Sequence, residues 1–237
     1  RHIRPQYACR HCETITAAPI PPAVIDGRMA AVGLLTWVMI SKFLDHLPLY
    51  RLEQIAARNG VILSRSTLAD WVGRIGVALL PLADRLTWHL LQRDSLHADE
   101  TPVPQLDPGN GKTKKAYLWA YRSNDLQPGP KIIVFDYQAG RSGRHAQQFL
   151  QDWHGHLMVD DYGGYKALFA TARAHPETRL LLEPCIELAC WTHARRKFFD
   201  LFQASQSPVA QAALQRIGAL YAIEAESRDM STKERQR

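Results

Sequence analysis

Four cysteines among 237 residues are too few for a small secreted disulfide scaffold. Long apolar runs are missing too. The most apolar stretch, residues 29–40, is 12 residues long, well short of the roughly 20 a bilayer span needs, and it reads as a buried helix. No signal-peptide pattern follows Arg1. Internal repeats and low-complexity tracts are absent as well. The expectation from these absences is a cytoplasmic protein with no membrane partner.

What is present is the composition of an ordinary globular chain, 46% hydrophobic and 22% charged. Its length suffices for one or two domains with a real core. Basic residues outnumber acidic ones, 29 to 23, for a formal charge of +6 and a pI near 9.3. That excess favours a polyanionic partner, because phosphate neutralisation supplies much of non-specific nucleic-acid affinity. Many soluble proteins carry such a charge for no functional reason, so charge alone assigns nothing.

Three regions are expected. Residues 1–22 are short, basic and rich in Cys and His, and end in a linker marked by Pro19, Pro21 and Pro22. Residues 23–93 carry a helical pattern. Asp26 is placed to cap a first helix through Trp37 and Phe43, and residues 50–58 fit a second. Asn59-Gly60 signals a turn, after which Ser64 or Ser66 can cap a third helix holding Leu68, Trp71, Val72 and Ile75. Residues 94–237 change character. Strands are expected at 95–103, ending at proline, and at 116–121 and 131–137, with tight turns at 108–111 and 127–130. A helix at 142–153, a strand at 156–160, a helix at 162–172, a strand at 186–190 and helices at 192–202 and 209–228 complete the order. Early strands joined by turns should pair antiparallel, and later strands separated by helices should pair parallel. This α/β order is that of a ribonuclease-H-like mixed sheet flanked by helices.

Two acids stand out. Asp99, within Leu96-His97-Ala98-Asp99-Glu100-Thr101-Pro102, is expected at the end of the first strand of this region, and Asp160 at the end of the fourth. With those strands adjacent, the two carboxylates would converge at one rim. Converging carboxylates repel unless a cation lies between them, and Mg²⁺ or Mn²⁺ suits oxygen ligands while keeping room for phosphate and water. The plainer alternative is that each acid is a turn residue or, for Asp160-Asp161, a helix cap.

Other residues invite a nucleic-acid reading. Residues 49–75 have the form of a helix-turn-helix, with Tyr50, Leu52, Ile55 and Ala56 as its inner face. Arg65 would meet a guanine edge or a phosphate and Thr67 a phosphate, unless the segment is a plain helical hairpin. Arg195, Arg196 and Lys197 share a helix with Phe198, Phe199 and Phe202 and either hold a DNA backbone or form a solvated face. His193 either orients a phosphate or is a buried histidine with a partner. Cys9-Arg10-His11-Cys12 has the C-x₂-C spacing of a zinc knuckle, but one pair supplies half of a zinc site unless His2 or His11 completes it. Cys185 and Cys190 read as core thiols.

Taken in order, residues 96–103, Tyr117-Leu118-Trp119, residues 157–165 with Asp160-Asp161-Tyr162-Gly163-Gly164-Tyr165, and Cys190-Trp191-Thr192-His193-Ala194-Arg195-Arg196-Lys197-Phe198-Phe199 resemble the transposases of the insertion sequence 66 family. Residues 220–224 match the family's helical stretch. The resemblance covers essentially the whole chain. It implies a DDE-type catalytic core with Asp99 as first and Asp160 as second acid, and Glu100 and Asp161 as neighbours of the ligands. It implies Mg²⁺ or Mn²⁺, transposon-end and target DNA as partners, and a homo-oligomer, and it leaves accessory transposition proteins open. It further implies a second cysteine pair upstream, so that Zn²⁺ would be held in the full-length protein. The family's third acid follows an Asp-Asn-Asn motif that this sequence does not contain, and Asp200, Glu224, Glu226 or Glu234 would be poor substitutes. A transposase fragment lacking its third acid is therefore expected. The alternatives are a non-catalytic DNA-binding remnant and a nuclease that only hydrolyses.

Overall fold

The computed structural model describes residues 5–17, 23–25, 30–170, 173–175 and 177–236. The sequence features at His2, at Pro19, Pro21 and Pro22 and at Asp26 lie outside them. The chain divides into two compact units, 1–84 and 85–237, with the boundary inside a helix.

In the first unit β1 (Gln6–Ala8) and β2 (Ile15–Ala17) form an antiparallel hairpin. Three helices follow: α1 (Val32–Phe43), α2 (Leu49–Arg58) and α3 (Arg65–Leu90). Leu52 and Ala56, one helical turn apart on α2, pack with Leu35 and Val38 of α1 and with Leu68, Trp71 and Ile75 of α3. Asn59 and Gly60 make the expected turn, with Gly60 at φ +74°. Ser64 opens α3 by accepting the Thr67 N–H at 3.1 Å. Two expectations fail here. Tyr50 is exposed rather than on the inner face, and the apolar run 29–40 is not wholly buried, since Val32 is 66% and Ile40 46% exposed. A continuous apolar run puts side chains all round a helix, while α2 and α3 cover one side of it.

The second unit contains β3 (Ser95–Asp107), β4 (Lys112–Ser123), β5 (Ile133–Gln138), α4 (Gly143–Leu150), β6 (His156–Val159), a 3₁₀ turn (Gly163–Leu168), β7 (Ile186–Ala189), α5 (Trp191–Ser205), α6 (Pro208–Glu226) and the short α7 (Thr232–Arg235). The sheet order is β5-β4-β3-β6-β7. β3, β4 and β5 are antiparallel neighbours, and β3, β6 and β7 are parallel. A five-stranded mixed sheet flanked by helices results, consistent with the ribonuclease-H-like order. Among the described residues no helix is long and apolar enough to cross a membrane.

Sequence and structure part at two elements. β3 does not stop at proline but runs on through Pro102 and Pro104 to Asp107. Both prolines lie where β3 pairs with β4 alone, and a strand with one free side tolerates a missing N–H. Of the helix expected at 162–172, the described residues 162–170 do not form an α-helix. Gly163 and Gly164, the poorest helix formers after proline, open a six-residue 3₁₀ turn instead.

Strand alternation sorts the sheet into two faces. Leu96, Ala98, Trp119, Tyr121, Leu157 and Val159 point to one face, where Ala146 and Leu150 of α4 and Tyr165 and Leu168 of the 3₁₀ turn cover them. Tyr121 stacks on Phe149 with ring centroids 3.7 Å apart. The start of α4 lies so close to the 3₁₀ turn that a Cβ on Gly143 would fall 2.0 Å from the Gly164 carbonyl oxygen. Gly143→Ala should therefore destabilise the unit by about 1–3 kcal/mol, as overpacking does. A thermal melt reads the effect, and an unchanged midpoint would contradict this close approach.

Candidate active site

Asp99 lies on the face opposite the core. On β3, Leu96, Ala98 and Glu100 are buried, so His97 and Asp99 project to the other side. The antiparallel register continues that face through Ala120, opposite Asp99, and Arg122, opposite His97. The parallel register pairs Ser95 with His156 and His97 with Met158. One further step of two residues on each strand brings Asp99 level with Asp160, which directly follows the last residue of β6. Neighbouring strands are about 4.8 Å apart, so the two carboxylates spring from adjacent backbone positions on one face. Both line a cavity of about 270 Å³ together with His97, Arg122, Cys190 and His193. Asp99 is thus mid-strand rather than at a strand end. What ends just before it, at His97, is the pairing of β3 with β6.

Each carboxylate spends one oxygen on local backbone. Asp99 Oδ1 accepts the Glu100 N–H at 2.9 Å, and Asp160 Oδ1 accepts the Tyr162 N–H at 3.0 Å. Asp99 is exposed and Asp160 half-buried. Among the described residues no set of three His, Cys, Asp or Glu side chains is placed to hold a metal ion. The pair nevertheless suits a hard cation that keeps water and phosphate in its remaining positions.

A second cavity, of about 530 Å³, shares Val159, Asp160, Cys190 and His193 with the first. α5 builds its wall with His193, Arg196, Lys197 and Asp200, which recur at helical spacing along one side. Arg196 and Lys197 therefore reach the site, whereas Arg195 is exposed on α5 and lines neither cavity. Lys197 pairs with Asp161 at 3.3 Å and Lys166 with the same carboxylate at 3.6 Å, and these two cations hold Asp161 below the usual carboxylate range. The His193 Nδ1 is buried with no hydrogen-bond partner among the described residues. Burial, with Arg122 nearby, pushes His97 below the usual histidine value. Of the acids downstream of Asp161, Asp200 and Glu187 line the second cavity, Glu187 paired with Lys166 at 2.9 Å, whereas Glu224 pairs with Arg235 and Glu234 caps α7.

Behind the rim is a polar group that the sequence reading did not single out. The Glu100 side chain is completely buried, yet it meets Arg141 Nε at 2.8 Å and the Tyr165 hydroxyl at 2.6 Å. Burial first, then the bond to Glu100, pushes the Tyr165 phenol up. Arg141 in turn lies 3.8 Å over the Tyr162 ring, and the Tyr162 hydroxyl donates to the Arg141 carbonyl. Tyr162 is the residue whose N–H engages Asp160, so the buried carboxylate is tied to the loop carrying the second acid. A signal for this exists in the sequence: Glu100 falls in the buried phase of an alternating strand, where an acid requires a cation or donor.

The remaining sequence candidates lie elsewhere. Arg65 is exposed at the start of α3 and pairs with Glu53 at 3.2 Å, and the Thr67 hydroxyl bonds Ser64 at 2.8 Å. Cys9 and Cys12 are exposed free thiols beside the β1–β2 hairpin turn. The Thr14 hydroxyl draws the Cys12 thiol down to about 7. Cys185 is a buried core thiol, whereas Cys190 is half-buried and faces the cavities, which corrects its reading as core.

Comparison with known proteins adds the lineage. The family model described as Transposase IS66 family matches residues 27–237. The uncharacterized protein y4jD of Sinorhizobium fredii (strain NBRC 101917 / NGR234) is 39% identical over 240 residues, covering 100% of this chain and 46% of y4jD. The uncharacterized protein y4qI of the same strain is 38% identical, covering 95% of the chain and 42% of y4qI. A third, y4hP, is 30% identical over 98% of the chain and 43% of its own length. The chain thus spans less than half the length of these relatives.

Proposed function

We propose, from the premise that this chain belongs to the IS66 transposase family, that it carries two acids of a metal-dependent DNA cleavage and joining site. Asp99 and Asp160 are the proposed catalytic pair in a ribonuclease-H-like domain of DDE type. The observation that carries this reading is their level placement on one face of adjacent parallel strands, lining one cavity. Mg²⁺ or Mn²⁺ held by the pair would supply activation of water and stabilisation of the leaving 3′ oxygen.

The chain's own groups have assignable tasks. Asp99 and Asp160 offer hard, anionic oxygens on one side of the cavity. Arg196 and Lys197 present cations along its α5 wall, where a DNA phosphate would be drawn in. The unpartnered His193 Nδ1, in the tautomer that carries its proton there, is a further donor for that phosphate. Arg195, exposed on the same helix, would extend the backbone contact. Arg65 and Thr67 are the proposed DNA contacts of a helix-turn-helix in the first unit, where Arg65 would exchange Glu53 for a guanine edge or phosphate. Cys9 and Cys12 would give half of a zinc knuckle, completed within the full-length protein. The third acid of the site is expected in the part of the relatives' length that this chain does not span. Bringing two transposon ends together requires a dimer or larger assembly, acting at chromosomal DNA.

Joining separates this reading from a nuclease that only hydrolyses. Full-length protein given a pre-cut transposon-end duplex and a supercoiled plasmid with Mg²⁺ should covalently link the end's 3′ hydroxyl to the plasmid. Plasmid nicking without any linked product would replace the transposase reading with the hydrolytic one.

A further inference from the structure

The hairpin of β3 and β4 outgrows the sheet. β6 pairs with β3 only from Ser95 to His97, and β5 pairs with β4 only from Tyr117 to Arg122. Residues 103–107 and 112–116 therefore pair with one another alone and form a two-stranded arm that continues β3 past Asp99. Gln105 on this arm accepts a hydrogen bond from the Tyr137 hydroxyl of β5, which braces its base.

The arm is basic. Lys112, Lys114 and Lys115 are exposed, and none has an ion pair among the described residues. Some cations of this unit, Arg122, Lys131, Arg141, Lys166 and Lys197, have carboxylate partners, whereas others, Arg195 and Arg196 among them, have none among the described residues. The arm's one acid, Asp107, accepts from Asn110 at 2.7 Å. Register places Lys112 and Lys114 on the same face as Asp99, because both are an even number of residues from Ala120, the partner of Asp99. Six residues separate Lys114 from Ala120 and eight separate Lys112, distances of about 20 and 27 Å along an extended strand. Phosphates of one strand of B-form DNA repeat every 3.4 Å along the helix axis, so for an arm lying along that axis these distances span about six to eight base pairs.

We propose that this arm is a DNA-backbone-binding element, with Lys112 and Lys114 on phosphates about six to eight base pairs along the helix axis from the one at the Asp99–Asp160 pair. The inference rests on the transposase reading and adds a binding surface to it. Lysines on a free hairpin edge also discourage edge-to-edge pairing, and that role alone would leave DNA affinity untouched.

Binding of the chain to a 40-base-pair mixed-sequence duplex, titrated across salt concentrations, tests the proposal. Lys112→Ala/Lys114→Ala/Lys115→Ala should make the log–log salt slope shallower by about 2, at roughly 0.9 for each of the two phosphates that Lys112 and Lys114 no longer neutralise. If the two proteins converge near 1 M salt, this is a loss of roughly a hundredfold at 0.1 M. The triple lysine-to-arginine variant should bind like wild type. Lys112→Ala and Lys114→Ala as single variants, each changing the slope by about 0.9, give the same readout should the triple variant fold poorly. Wild-type slope in a folded alanine variant overturns the arm alone. A wild-type chain with no affinity for the duplex overturns the arm and the transposase reading together.

Discussion

Asp99→Asn or Asp160→Asn in the full-length protein should lower transposon-end cleavage by about a thousandfold or more. Each carboxylate is assigned to a cation that stabilises several kcal/mol of transition-state charge, and 1.36 kcal/mol corresponds to tenfold in rate. The asparagines keep size and the local backbone hydrogen bonds that Asp99 and Asp160 now accept. Loss of activity therefore cannot be laid to a collapsed loop. End binding should be retained or slightly tightened, since an anion facing the DNA backbone has been removed. A labelled end duplex, scored for cleavage with Mg²⁺ and for retardation without it, separates the two effects. Undiminished cleavage by either variant would remove the pair from the chemistry.

Arg141→Ala should produce a large loss of stability for a single, partly exposed charged side chain. It leaves the Glu100 carboxylate fully buried with the Tyr165 hydroxyl as its remaining side-chain partner. Breaking a buried pair by removing one member typically costs 3–5 kcal/mol, and the 43% exposure of Arg141 argues for less, about 2–3 kcal/mol. A fall in melting temperature of roughly 5–10 °C follows for a domain of this size. Glu100→Gln should cost less, because the amide still meets Tyr165 without carrying a buried charge. The double variant should then be more stable than Arg141→Ala alone. That order, read from thermal melts, is the signature of an uncompensated buried anion. Equal melting of Arg141→Ala and wild type would mean Glu100 is not ionised there or not dry. The same variant loosens the ring of Tyr162 and with it the N–H that Asp160 accepts.

Most elements were legible in the sequence because their signals are local. Gly60 and the glycines at 109, 111 and 129 take positive φ in the turns where Asn59-Gly60, Pro108-Gly109-Asn110-Gly111 and Pro128-Gly129 forecast them. Ser64 caps α3, as a side chain can do only to its own neighbours. Where expectation failed, a distant surface had decided. Tyr50 has the right spacing for an inner face, but Leu52 and Ala56 are the residues that α1 and α3 meet. Pro104 should end the strand, but it lies where β3 has no second neighbour, so nothing is lost. Cys190 was grouped with Cys185 by proximity, yet one faces a cavity and the other the core.

By itself the sequence determined most of the order of strands and helices and which two acids to watch, because those follow from periodicity and turn chemistry, while the family followed from the resemblance of its motifs. Only the tertiary structure decided that Asp99 and Asp160 are level on one face, that Glu100 turns inward to Arg141 and Tyr165, and that three lysines extend along an unsupported hairpin. Those are consequences of strand register. A shift of one residue would reverse every face of the sheet, and register is set by pairing partners up to about sixty residues away in the chain.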